Sequence, residues 1–155
     1  MHTCRQVKFK QVLIGCIICF ILALTLSVLL SAVCLHVQHY EIELRGLQSK
    51  VRLVLLSDLH CKSFGKDNAR LLAKVEAQSP DAICLAGDMI DRNADAEDVQ
   101  KFLDFIKALC KIAPVFFSPG NHELGYMASD ELLLDRIEKS GAAVFNDSYA
   151  DVFFL

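Results

Sequence analysis

Three short segments carry residue types that hold metals or phosphates: Ser57-Asp58-Leu59-His60, Gly87-Asp88 and Gly120-Asn121-His122-Glu123. Asp58 and His60, a carboxylate and an imidazole two residues apart at a strand end, are two ligands for one ion, and strand alternation would set both on one face. Gly87 leaves the backbone before Asp88 free to turn tightly and to approach an ion or a phosphate. Asn121 adds a neutral amide oxygen, and His122 a second imidazole, again behind a glycine. Oxygen and imidazole donors without thiolates suit a hard or borderline divalent ion, Mn, Fe or Zn. Each segment alone has an ordinary reading: Asp58 as a helix cap, Gly87-Asp88 as a turn, Asn121-His122 as a satisfied loop pair. Glu123 and Asp67 read as structural or solvated. What joins the segments is that each ends an apolar run.

Those runs are 51–56, 82–86 and 115–118. Between them lie amphipathic stretches. Leu71, Leu72 and Val75 take helical spacing within 68–78, closed by Ser79-Pro80. Val99, Phe102, Leu103, Ile106 and Leu109 do the same behind Asp95 as a cap, through about Cys110. Leu133, Leu134 and Ile137 follow Asp130 as a third cap, with Gly141 as the stop and a fourth strand over 142–145. The order β-α-β-α-β-α-β predicts right-handed crossovers and a mainly parallel sheet, an α/β fold. Ligands of such sheets gather beyond the carboxyl ends of the strands, where the three loops would meet. Tyr40 to Leu44 alternates in period two and reads as an edge strand, with a turn from Gly46 to Lys50. Val152-Phe153-Phe154-Leu155 reads like the middle of an element, so the chain is expected to be a fragment.

The N-terminal part has a different composition. Residues 12–35 contain no charge, long enough for one helix to cross a hydrocarbon core of about 30 Å. A cleavable signal peptide has a shorter apolar region, and the lipobox-like Leu13-Ile14-Gly15-Cys16 is followed by more apolar sequence instead of ending the run. A retained signal anchor is therefore expected. Arg5, Lys8 and Lys10 precede it, and Glu41 and Glu43 follow, so the positive-inside rule puts the N-terminus in the cytoplasm and the rest across the membrane. The expected organisation is a tail at 1–11, a transmembrane segment at 12–35, a juxtamembrane strand and turn at 36–50, and a partial catalytic domain at 51–155. The net charge of −3 and the lack of a basic run offer no footprint for nucleic acid. Of seven cysteines, Cys61, Cys84 and Cys110 fall in the domain without zinc-knuckle or disulfide spacing. They read as buried or incidental thiols, with Cys61 beside His60 as a soft extra ligand or oxidation target at most.

Asp58-x-His60, then Gly87-Asp88-x-x-Asp91-Arg92, then Gly120-Asn121-His122-Glu123, over roughly 52–145, resemble the calcineurin-like metallophosphoesterases. With the anchor in front, the chain is most similar to their membrane-associated bacterial branch. The resemblance implies the N-terminal half of an α/β sandwich. It implies two divalent ions, Mn, Fe or Zn, with Asp58 and His60 on the first, Asp88 bridging both and Asn121 on the second. It implies that His122 contacts the phosphoryl group or protonates the leaving oxygen, oriented by Asp91, and that Arg92 contacts phosphate. The reaction implied is hydrolysis of a phosphomonoester or phosphodiester by a two-metal-activated hydroxide; membrane placement makes a lipid-linked or cell-envelope phosphate the attractive substrate. The family completes its metal sites with later histidines, and none follows His122 here. The alternative is therefore a truncated membrane protein with a partial metal site and no hydrolase activity.

Overall fold

A computed structural model describes residues 2–46 and 49–149, with the side chains of 2–10, 12 and 29–33 outside the described set. The chain divides into two units, 1–42 and 43–155. In the first, helix α1 spans His2–Val33, and its described large apolar side chains, from Leu13 to Val28, are exposed. Among the described residues no helix is long and apolar enough to cross a membrane. Within the uncharged run, the side chains of 12 and 29–33 lie outside the described residues. Tyr40 to Leu44 is not a strand. Tyr40, Ile42 and Leu44 stand exposed, and alternation alone makes no strand until a partner strand pairs with it. The expected turn at 46–50 includes 47 and 48, outside the described residues, as does the apolar run 152–155.

The second unit is built on four parallel strands, β1 Leu53–Leu56, β2 Ala82–Ala86, β3 Val115–Ser118 and β4 Ala143–Val144, side by side in sequence order. Between them lie α2 Ala69–Glu76, α3 Ala96–Leu109, the short α4 Asn121–Tyr126 and α5 Leu133–Lys139. The alternation of strand and helix is the one expected, with α4 added where a loop was read. The register aligns Leu55, Cys84, Phe116 and Ala143 across one face, and Leu56 with Leu85 and Phe117 across the other. Right-handed crossovers that always step in one direction put their helices on one face of the sheet. The packing agrees: Phe102 of α3 lies against Phe117, with ring centroids 5.9 Å apart, and α3 touches α5. Ile83, Leu85, Phe117, Ile106, Val99, Leu109, Leu133 and Ile137 are fully buried there. On the opposite face Leu53 and Leu55 keep 57% and 67% of their surface exposed.

The helix ends are set locally. Asp95 caps α3, its side chain accepting from the Asp98 N–H at 2.8 Å. Asp130 does not cap α5. It sits one turn earlier, accepting from the Leu132 N–H at 3.1 Å and pairing with Arg136 at 2.8 Å, so that Leu132 holds the cap position without a side-chain bond. Gly141 ends α5 at φ +109°, a conformation that favours glycine. The fourth strand is shorter than read, only Ala143–Val144, because the chain bends away at Asn146-Asp147.

Candidate metal centre

β1, β2 and β3 end side by side, and the pairing of the first two continues past the strands. Asp58 N–H donates to the Gly87 carbonyl at 3.2 Å, His60 N–H to that of Asp88 at 3.0 Å, and Cys61 N–H to that of Met89 at 3.0 Å. Simple strand alternation does not place Asp58 and His60 together as expected. Both lie beyond Leu56 with positive φ, 56° and 47°, as do Cys61 at 56° and Asp88 at 54°. The left-handed conformation costs an L-residue roughly 1–2 kcal/mol, and outliers of this kind gather at functional sites.

The third loop comes as close as a backbone can. Gly87, at φ +75°, faces Gly120, and a side chain on Gly87 would run into the Gly120 backbone. A side chain on Gly120 would run into the Asp88 carboxylate. With both positions bare, the His122 N–H donates to Asp88 Oδ1 at 3.0 Å. Glu123 underlies the junction. Completely buried, it accepts from the N–H groups of Asp88, Met89, Ile90 and Gly120 at 2.7 to 3.1 Å. It is structural and not solvated. The signal for it is a glutamate three residues after Gly120, half of a capping box, since glycine has no side chain to complete the other half.

The outcome is a cluster in which His60, Asp88 and His122, one from each loop, bring ligand atoms within 4.8 Å of one another. Asp58 Oδ1 is 3.9 Å from His60 Nε2, and the two imidazoles meet edge to face at 4.6 Å. The His60 imidazole and the Asp88 carboxylate, with Asp58 beside them, fit a divalent cation of the Mn, Fe or Zn kind. Asn121 opens α4, exposed on the same loop.

The two histidines differ in what their Nδ1 atoms meet. His60 Nδ1 is 2.9 Å from Asp91 Oδ1, an acceptor, so its ring carries the proton there and leaves the Nε2 lone pair for a metal. His122 Nδ1 accepts from the Arg92 N–H at 3.2 Å, so the neutral ring carries its proton on Nε2. Asp91, expected to orient His122, lies farther from it, at 3.7 Å. The Arg92 side chain passes over Gly125, where any added side chain would strike it. Cys61 Sγ takes the Asp91 N–H at 3.2 Å. Burial pushes the Cys61 thiol up, against the pull of that hydrogen bond.

Comparison with known proteins agrees with this geometry. Over 100 residues the chain is 29% identical to an uncharacterized metallophosphoesterase of Campylobacter jejuni, an alignment covering 63% of this chain and 26% of that protein. The match thus spans about a quarter of the relative's length. The family model described as Calcineurin-like phosphoesterase matches residues 51–154. That stretch holds the parallel sheet and all three loops of the cluster, and the chain belongs to the calcineurin-like phosphoesterase family.

Proposed function

We propose that the chain carries the metal centre of a two-metal phosphoesterase that cleaves a phosphomonoester or phosphodiester. The observation that carries this reading is the meeting, from three separate loops and within 4.8 Å, of two ligands, His60 and Asp88, with His122 beside them as the phosphate-facing imidazole. Asp58 and His60 would hold one divalent ion, Asp88 both, and Asn121 the second. Two such ions supply Lewis-acid polarisation of the phosphoryl oxygens and an acidified water. The chain's own part is to orient and to move protons. Asp91 fixes the His60 tautomer so that Nε2 faces outward as a ligand. The Arg92 N–H fixes the opposite tautomer in His122, which presents an N–H to a phosphoryl or leaving-group oxygen. Arg92, whose backbone N–H meets His122, would neutralise phosphate charge.

The organisation in the sequence, 1–11, 12–35, 36–50 and 51–155, belongs to the same reading. The run 12–35 would be a single-pass anchor with its N-terminus cytoplasmic and the catalytic domain extracytoplasmic. Three features support it: the uncharged run, the flanking Arg5, Lys8 and Lys10, and a continuous helix His2–Val33 whose described large apolar side chains are exposed. A domain held at a bilayer would meet lipid-linked or envelope phosphates first.

The test is metal content together with hydrolysis of a chromogenic phosphodiester, measured on protein washed with chelator and reloaded with Mn(II). Near two ions per chain with metal-dependent turnover is expected. Neither binding nor turnover would leave the three loops as a packing motif and sink the reading. The His122→Asn variant separates the roles of the histidines: turnover falls while metal content stays, whereas loss of metal would make His122 a ligand.

A further inference from the structure

Glu123 is the charged side chain among the described residues that is buried outright, and the chemistry above makes no use of it. Its two oxygens divide four donors evenly. Oε2 takes the N–H of Asp88 and that of Gly120, both at 2.8 Å, bridging the second and third loops. Oε1 takes Met89 at 2.7 Å and Ile90 at 3.1 Å, holding the backbone that follows Asp88. A carboxylate is the one side-chain group with acceptor capacity at both ends and no donor, so it matches this pattern fully. The burial of a charge is tolerated when hydrogen bonds surround it. Asp88 itself sits at φ 54°, a conformation that relaxes unless its surroundings hold it.

Resting on the metal-centre reading above, we infer that Glu123 is a positioning residue for the metal site. It ties the Asp88 loop to the His122 loop and holds Asp88 in its left-handed conformation, so that ligands from the two loops present one cluster. A glutamine here cannot imitate it. In either orientation its NH2 group faces two backbone N–H donors, either the pair that bridges the loops or the pair that follows Asp88. An aspartate keeps both acceptors but is one methylene too short to reach all four amides.

The experiment measures Mn(II) affinity of the wild-type chain, Glu123→Gln and Glu123→Asp, by electron paramagnetic resonance of free Mn(II), with circular dichroism and melting recorded on the metal-free proteins. Folded Glu123→Gln protein that binds Mn(II) about 10- to 100-fold more weakly is expected, the loss typical of disturbed supporting shells. Glu123→Asp should fall between it and the wild type. Folded Glu123→Gln that binds like wild type overturns the inference and leaves the metal centre standing. A wild-type chain that binds no Mn(II) instead overturns the metal-centre reading and this inference with it. Should the variants not fold, the wild type decides through amide exchange. Zn(II) should slow the Asp88, Met89, Ile90 and Gly120 amides together while leaving the β3 amides unchanged. Zn(II) binding without that joint protection overturns the inference.

Discussion

The helix-covered body of the sheet and the loop rim at its carboxyl edge follow opposite rules. In the body, Ile83, Leu85, Ile106 and Phe117 are fully buried, apolar and in ordinary strand or helix conformation. At the rim, Asp58, His60, Cys61 and Asp88 are left-handed, two glycines press backbone on backbone, and a carboxylate is buried beneath them. The body gains free energy from area removed from water; the rim gives some of it back to hold ligands in place. The difference teaches where substitutions will act. Damage to the body should appear as lost stability, damage to the rim as lost chemistry.

Substitutions in each region sharpen that division. Asp88→Asn should reduce metal-dependent hydrolysis at least about 100-fold, roughly 2.7 kcal/mol at the barrier, while urea denaturation shows an almost unchanged midpoint; wild-type turnover would remove Asp88 from the bridging role. Phe117→Ala should cost about 3–5 kcal/mol of stability, with Mn(II) affinity of the folded fraction retained at low temperature. If metal binding vanished while the variant was still folded, body and rim would not be separable. Gly87→Ala, which meets both the +75° φ and the Gly120 backbone, is expected to lose about 1–3 kcal/mol and to weaken metal binding, the one substitution that damages both. Asp58→Asn keeps a residue type that tolerates left-handed backbone and removes one of several clustered carboxylates. It should gain a few tenths of a kcal/mol in stability while metal affinity drops, the trade-off common at functional sites. Leu55→Ser, on the exposed side of the sheet, should stay within about 0.5 kcal/mol in this chain.

Much of the body was legible because periodicity reports burial. The apolar positions of α3, spaced three and four apart, are the ones that disappear into the core, and Asp95 caps it as its residue type suggests. The loops were legible through Gly87, Gly120 and the ligand residues that follow them. What escaped has a common cause in partners distant along the chain. Tyr40 to Leu44 has the alternation of a strand, but a strand forms only where a partner strand pairs with it, and none pairs here. Glu123 resembles any surface glutamate until Asp88, Met89 and Ile90, more than thirty positions earlier, are seen to point their N–H groups at it. Asp91 was assigned to His122 by analogy, whereas the fold brings it nearest to His60. The left-handed residues at 58, 60 and 61 leave no trace in composition, because none of them is a glycine.

The strand order has a further consequence, for the sequence of events in folding. Every strand pairs with its predecessor in the chain, so each pairing closes a loop of roughly 30 residues and none waits for a remote segment. The topology permits assembly in the direction of synthesis, β1 first. Asp58 and His60 are then presented early, Asp88 joins them with β2, and His122 and Glu123 arrive only when β3 docks. β4 adds its two residues after every ligand of the cluster is already in place. The docking of β3 is thus the step that brings the third loop to two strained ones and completes the candidate metal site, and the onset of metal binding during refolding would mark that step in time.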